Sequence, residues 1–283
     1  MNNDRVILAF NGSAASCAAV RWLMDEHQAD VVALVVDVGQ MDDLEEVQTR
    51  AVACGAIRAH VVDRCDAFAR DVIAPAVASS TPLGRDALAC LAHSTIAAAL
   101  VEVAAIEGTR VVAHAGKHDG LDDHIARLNP ALRVIAPARE WTSQGINVAD
   151  YMKMRHLSPG AGRVERHLLI RKPVSAASGC EAAQVTVGFE NGIAAYVNGV
   201  PMGLSELIES LSLIGSRYGL AEGDPLPAPA VELLQAAYGA SKGNDAVTLL
   251  VRCGSIAVAG GGTAEAAPHD DGTAQAVPHG NRA

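Results

Sequence analysis

Apolar residues in the first half of the chain come in short runs separated by segments of helical spacing. RVILAF (5–10), ADVVALVVDVG (29–39), IRAHVVD (57–63), TRVVAHA (109–115) and ALRVIAP (131–137) are each about one strand long and bounded by polar residues. That is the pattern of strands buried on both faces. Between them, 14–24 has helix-compatible composition. MDDLEEVQTRAVACGA (41–56) puts Leu44, Val47 and Ala51 on one face, with acids early and Arg50 late, the charge order a helix dipole favours. AFARDVIAPAVAS (67–79) and the Ala-rich stretch 87–106 supply two further helices. Strands alternating with helices at this spacing predict an α/β fold, a doubly wound parallel sheet of Rossmann-like type, because parallel neighbours need crossover helices. Ligands of such sheets sit beyond the carboxyl ends of the strands, which directs attention to the turns 11–17, 37–40 and 114–120.

From about Trp141 the texture changes. LSPGAGR (157–163) reads as loop, and AQVTVGFENGIAAYVNGVPM (183–202) as two short strands around an Asn191-Gly192 turn, a strong hairpin signal. Leu204, Leu207, Ile208, Leu211, Ile214 and Tyr218 step by three and four along an amphipathic helix, and AVTLLVRC (246–253) reads as a last strand. The expected organisation is a first domain over 1–142, a smaller α+β second domain over 143–253, and a tail, 254–283, too rich in Gly, Ala and Pro to bury a core and therefore disordered.

Half of the 283 residues are hydrophobic but aromatics make up only 3%, so Ala, Val, Leu and Ile must fill the interior. With 22 basic against 32 acidic residues the net charge is -10, which offers no field for nucleic acid or anionic lipid. MNNDRVILAF lacks a basic lead into an apolar segment, and no stretch reaches the ~18 apolar residues of a membrane span. The expectation is a cytoplasmic protein with no nucleic-acid or membrane partner. Six cysteines, Cys17, Cys54, Cys65, Cys90, Cys180 and Cys253, stand singly without a C-x-x-C pair, against a zinc ribbon or a disulfide framework.

The most informative stretch is ILAFNGSAASCAAVRWL (7–23): strand, small-residue turn, helix start. Phosphate-binding loops are built this way, and so are turns of α/β proteins that hold no ligand. Cys17 in the first helical turn is either a thiol activated by the helix dipole or a buried inert one. Asp37, at a strand end, suits a magnesium or ribose partner, or a turn. Lys117 is either a phosphate partner or a solvated loop lysine. His114, His118 and His124 with Asp119, Asp122 and Asp123 form the densest ligand-type cluster, but its i, i+4 histidine pair does not fall on a predicted helix, and no metal is assigned there. No nucleophile-elbow pattern is present.

RVILAFNGSAASCAAVRWL, VVDVGQMDDLEEVQTRAVACGAIRAHVVD, LVEVAAIEGTRVVAHAGK and ALRVIAPAREW together resemble, in order and spacing, the N-terminal domain of argininosuccinate synthase, and FENGIAAYVNGVPMGLSELIESLSLIGSRYGL resembles the early part of that family's second domain. The run Asp37-Val38-Gly39-Gln40 before the acidic helix is the most specific piece. The resemblance covers roughly residues 5–240, with gaps, and implies an ATP-pyrophosphatase fold related to the adenine-nucleotide α hydrolases. It implies ATP and Mg2+ as cofactors and an AMP- and pyrophosphate-forming C–N ligase acting on citrulline and aspartate or related amino acids, in a small-molecule enzyme that could form a homo-oligomer. The nucleotide residues it implies are Ala9, Asn11, Gly12, Ser13, Ser16, Cys17, Val36, Asp37, Ala115, Gly116 and Lys117, with His93 and Asp119 toward the amino-acid substrates.

The chain departs from the family at its loops. Where the family has Ser-Gly-Gly-x-Asp-Thr-Ser, it has Asn11, Gly12, Ser13, Ala14, Ala15, Ser16 and Cys17, so the acidic side chain is lost at Ala15. Thr-Ser-Leu-Ala-Arg-Pro falls on Ala89, Cys90, Leu91, Ala92, His93 and Ser94, which puts an imidazole where a guanidinium stood. The His-Gly-Cys-Thr-Gly-Lys segment and its following Asn-Asp and Arg-Phe-Glu groups become the shorter HAGKHDGLDDHIARL (114–128). These losses set a second expectation beside the ligase: a pseudoenzyme that keeps the fold as a nucleotide-binding or protein-interaction module.

Overall fold

The computed structural model describes residues 4–39, 43–79, 85–116, 120–157, 182–220, 227–241 and 245–262. The first part of the chain runs β1 (Arg5–Ala9), α1 (Ala14–His27), β2 (Asp30–Asp37), α2 (Leu44–Ala53) and β3 (Arg58–Asp63). A helical segment follows, made of α3 (Cys65–Phe68), a π-helical turn (Ala69–Ile73) and α4 (Ala74–Ala78). Then come α5 (Arg85–Ile106), β4 (Val111–His114), α6 (Gly120–Leu128), β5 (Arg133–Ile135), α7 (Pro137–Gln144) and α8 (Val148–Met154). All five strands are parallel, in the order β3-β2-β1-β4-β5, so the winding direction reverses between β1 and β4.

The strand residues alternate between two cores, as a pleat with period two requires. Ile7, Ala9, Val32 and Leu34 face one way, onto Ile96, Ala97, Leu100 and Ala104 of α5. Val6, Leu8, Val31, Ala33 and Val35 face the other, onto Val20, Trp22 and Leu23 of α1 and Trp141 of α7. Helices therefore cover both faces, which is why these strands read as continuous apolar runs. α8 packs on α1, with Tyr151 Oη donating to Asp25 Oδ2 at 3.2 Å and Arg155 pairing with the same carboxylate at 2.9 Å, so the packing of this unit extends past residue 142. At the amino ends of the strands Glu107, 6% exposed, gathers Arg5 at 3.0 Å, His60 at 2.7 Å and Arg58.

The second unit is antiparallel. β6 (Ala183–Glu190), β7 (Ile193–Val197) and β8 (Val200–Pro201) precede α9 (Leu204–Arg217) and α10 (Ala228–Ser241), and β9 (Ala246–Arg252) and β10 (Ser255–Gly262) close the sheet in the order β10-β9-β6-β7-β8. Asn191 and Gly192 both have positive φ, as the predicted tight hairpin requires. α9 buries Leu207, Ile208 and Leu211; these join the α5-side core of the parallel sheet in one continuous cluster. α9 and α10 cross at Gly215, where an added Cβ would lie 2.7 Å from the Pro229 Cβ. Among the described residues no helix is long and apolar enough to cross a membrane.

Two expectations change. Residues 255–262, expected to be disordered, form β10, paired with β9 from Ser255↔Arg252 to Gly262↔Ala246. The turn is Cys253-Gly254, both at positive φ, a hairpin geometry without the usual Asn-Gly signal; the rest of the tail, 263–283, lies outside the described residues. HAGKHDGLDDHIARL also contains a helix, α6, which buries Leu121 and Ile125.

Candidate functional site at the crossover of the parallel sheet

The strand order reverses between β1 and β4, and doubly wound sheets bind ligands in the crevice beyond the carboxyl ends of the strands at such a point. Ala9 ends β1 opposite Leu34 of β2 and His114 of β4, so the loop after β1 and the loop after β4 flank the same crevice.

The β1–α1 loop is held by its own short polar side chains. Asn11 Oδ1 accepts from Ser13 N at 3.1 Å, Gly12 turns the chain at φ +74°, and Ser13 caps α1, its Oγ accepting from Ser16 N at 3.1 Å. Ser16 Oγ returns a bond to Ser13 O at 2.9 Å. Helix starts leave amides without intrahelical acceptors. Here the amides of Gly12, Ala14 and Ala15 have no hydrogen-bond acceptor among the described residues. They are grouped at the amino end of a 14-residue helix, where the dipole favours an anion.

Beneath the loop lies Arg50 of α2, 9% exposed, donating from Nη1 to Gly12 O at 3.0 Å and pairing through Nη2 with Glu46. The sequence reads Arg50 only as a basic residue late in its helix; the fold buries it, so a guanidinium backs a loop without a carboxylate. An added Cβ at Gly12 would sit 3.2 Å from that guanidinium, a second reason for glycine besides its φ. Cys17 is fully buried, its thiol held toward Gly12 O at 3.8 Å. The neighbouring Cys54 thiol and burial push its pKa well above the usual range. It is a thiol packed under the loop, as the buried alternative expects.

The loop after β4 is braced from below. His114, 3% exposed, has Nε2 2.6 Å from Asp122 Oδ1, and its Nδ1 accepts from Gly116 N at 3.1 Å. With Nδ1 an acceptor, the ring donates to Asp122 from Nε2. Asp122 Oδ2 also meets Arg139 at 2.5 Å. This His114–Asp122–Arg139 chain ties β4, α6 and α7 together. The first carboxylate of the pair that opens α6 is therefore engaged by the histidine and the guanidinium of this brace.

The other expected positions divide. Ala9, Asn11, Gly12, Ser13 and Ser16 lie at the end of β1 and in the loop and helix start after it, and Ala115 and Gly116 directly follow β4, the neighbouring strand. Val36 and Asp37 stand at the end of β2, the next strand over. His93 of α5 reaches the start of α6, where a Cβ on Gly120 would lie 3.1 Å from its Nδ1. Lys117, His118 and Asp119 lie outside the described residues. Arg50 and Arg139 were not singled out from sequence as site residues, and Asp122 was read only as one member of a ligand-type cluster; the ionic residue types and the fixed Ala136-Pro137 helix start are the only hints of their roles.

A parallel, doubly wound α/β domain with a glycine-turned strand–helix loop at its crossover point defines a Rossmann-like, HUP-type class. The family model described as "Arginosuccinate synthase N-terminal HUP domain" matches residues 5–158. The chain belongs to the argininosuccinate synthase family. It is 30% identical over 258 residues to argininosuccinate synthase of Brevibacillus brevis, covering 79% of this chain and 61% of that one. It is 32% identical over 254 residues to the enzyme of Nitratidesulfovibrio vulgaris (strain DP4), covering 78% and 64%. It thus spans a little under two thirds of the length of these relatives.

Proposed function

We propose that this protein binds the phosphates of ATP at the β1–α1 loop and belongs functionally with the AMP- and pyrophosphate-forming C–N ligases, taking citrulline and aspartate or related amino acids. The observation that carries this reading is the set of amides at Gly12, Ala14 and Ala15, unmatched by any described acceptor, at the start of α1 and backed by the Arg50 guanidinium. Donors fixed in this way need no rearrangement when a leaving pyrophosphate gains charge. Val36 and Asp37 would border the nucleoside, Ala115 and Gly116 would approach the phosphates from β4, and His93 would face the amino-acid side. In such a reaction the oxygen of the ureido group attacks the α-phosphorus, pyrophosphate leaves, and the amine of aspartate then displaces AMP.

The loop fits a triphosphate better than it fits a metal. No carboxylate stands between Asn11 and Cys17, so Mg2+ would be held by the phosphates, where it would offset the charge of the leaving group. Ala15 and the engagement of Asp122 by His114 and Arg139 support the second reading, a nucleotide-binding module without turnover. A pyrophosphate-release assay with ATP, magnesium and a panel of amino acids including citrulline and aspartate separates the two, run beside calorimetry with ATP and AMP. Release above background supports the ligase, binding without release supports the module, and absence of both refutes the nucleotide site.

A further inference from the structure

The cysteines stand apart in sequence, but the fold brings two of them together. Cys17, in the first turn of α1, and Cys54, which closes α2 as its C-cap, are both free, both buried and members of one core cluster. Their side chains are hydrogen-bonded to each other. The Cys17 thiol also lies 3.8 Å from Gly12 O, the carbonyl that Arg50 Nη1 meets at 3.0 Å. Arg50 sits one helical turn before Cys54, whose amide donates to Arg50 O at 2.9 Å. Two thiols, a guanidinium and the turning carbonyl of the β1–α1 loop therefore share one buried contact zone. The two sulfurs are not equivalent. Cys17 has no exposed surface, whereas Cys54 keeps 5%, and the Cys17 hydrogen bond, helped by the Arg50 charge, holds the Cys54 pKa below its ordinary value against burial. Thiolate character and access both fall to Cys54.

We propose that Cys17 and Cys54 are a redox-modification site, which a hydroperoxide converts to a disulfide that reshapes the β1–α1 loop from below. The Cys54 thiolate attacks one peroxide oxygen and the O–O bond breaks. Cys54 becomes a sulfenic acid, while the other oxygen leaves as an alcohol or water with the proton that Cys54 gave up. The Cys17 sulfur then attacks the Cys54 sulfur, the S–O bond breaks, and the hydroxyl leaves as water with the Cys17 proton. With hydrogen peroxide, two thiols and one peroxide give one disulfide and two waters. A disulfide holds its sulfurs at about 2.05 Å, closer than hydrogen-bonded thiols approach, and it leaves Cys17 without a proton for Gly12 O. Because packed interiors yield little, closing the bond draws the first turn of α1 onto the end of α2 and shifts Gly12 against Arg50. Bond formation and the loop shift need no ligand, so neither rests on the function proposed above.

The test oxidises the full chain with a small excess of hydrogen peroxide, blocks the remaining thiols by alkylation and maps tryptic peptides by mass spectrometry. Cleavage after Arg21 and Arg50 puts Cys17 and Cys54 in separate peptides, so their joining is read directly. A Cys17–Cys54 linked peptide pair in most molecules, lost on reduction with dithiothreitol, is expected. In the ligand-free protein the amide resonance of Ser13, next to the Gly12 carbonyl, should shift on oxidation and return on reduction. Cys17→Ser should stop at a Cys54 sulfenic acid that dimedone labels, and Cys54→Ser should give neither the link nor the Ser13 shift. The Cys90→Ser/Cys253→Ser double variant, which lacks two exposed thiols, should form the link as the parent does. Oxidation that consumes exposed thiols but spares this pair, Cys54 linked to another cysteine in its place, or a link that leaves the Ser13 amide unmoved would each overturn the proposal.

Discussion

Arg50→Met removes the guanidinium beneath the β1–α1 loop while keeping a stem of similar length and apolar character. Two interactions are lost. The charged bond to Gly12 O, 3.0 Å long and buried, is worth about 1.5–3 kcal/mol. The contact with Glu46, whose side chain is 55% exposed, is worth a few tenths, roughly 0.3–0.5 kcal/mol, as other helical i,i+4 pairs are. A net loss of about 2 kcal/mol lowers the midpoint of thermal unfolding by about 4–8 °C for a chain of this size. Nucleotide affinity falls separately: at roughly 7 Å and an effective dielectric near 20, one unit charge acting on a phosphate is worth about 2 kcal/mol. Glu46 offsets about half, leaving roughly a fivefold to tenfold weaker Kd for ATP. Arg50→Lys separates the two effects, since it keeps the charge but cannot hold both Gly12 and Glu46: stability should drop while affinity is largely retained. Thermal melts and calorimetry on the three proteins provide the assay. An Arg50→Met protein that melts with the parent and binds ATP equally well would refute the claim that this guanidinium supports the loop.

Three further outcomes are expected. Glu107 feels burial, which raises its pKa, but hydrogen bonds from His60 and Arg58 and the charges of Arg58 and Arg5 outweigh it, so the carboxyl titrates below its ordinary value. A depressed folded pKa stabilises above the unfolded value, about 4.3, and that contribution is lost as pH falls through the folded one; Glu107→Gln should therefore melt lower than the parent at pH 7 and show a flatter melting profile below pH 5, and parallel profiles would contradict the network. Gly215→Ala forces a Cβ to within 2.7 Å of Pro229 Cβ and 3.4 Å of its carbonyl, so urea unfolding should show a loss of about 1–3 kcal/mol, and none if α9 and α10 do not cross there. Ala15→Asp should tighten binding of Mg-ATP and weaken binding of metal-free ATP, and identical shifts in both would show that the added carboxylate does not meet the metal.

The parallel sheet was legible because its inner strands β1, β2 and β4 are buried on both faces and its helices return at regular intervals, although the edge strand β3, expected to be buried on both faces, has no buried residue; α9 was legible because its apolar residues keep to one side. α10 was not: Ala228, Pro229, Ala230, Val231, Leu233 and Leu234 are all buried, leaving no polar stripe to set a period. β10 was hidden by its glycines and by a Cys-Gly turn. At the site, the small-residue loop could be read because backbone amides survive any change of side chain. Arg50, His114 and Asp122 could not, since their roles depend on which way a helix faces once packed.

The central claim is that loop amides receive the phosphates, and amide-resolved NMR during an ATP titration tests it most directly. The account predicts saturable shifts led by Gly12, Ala14 and Ala15, with those of Ala115 and Gly116 following. ATP that binds while leaving the Gly12, Ala14 and Ala15 resonances in place would contradict it.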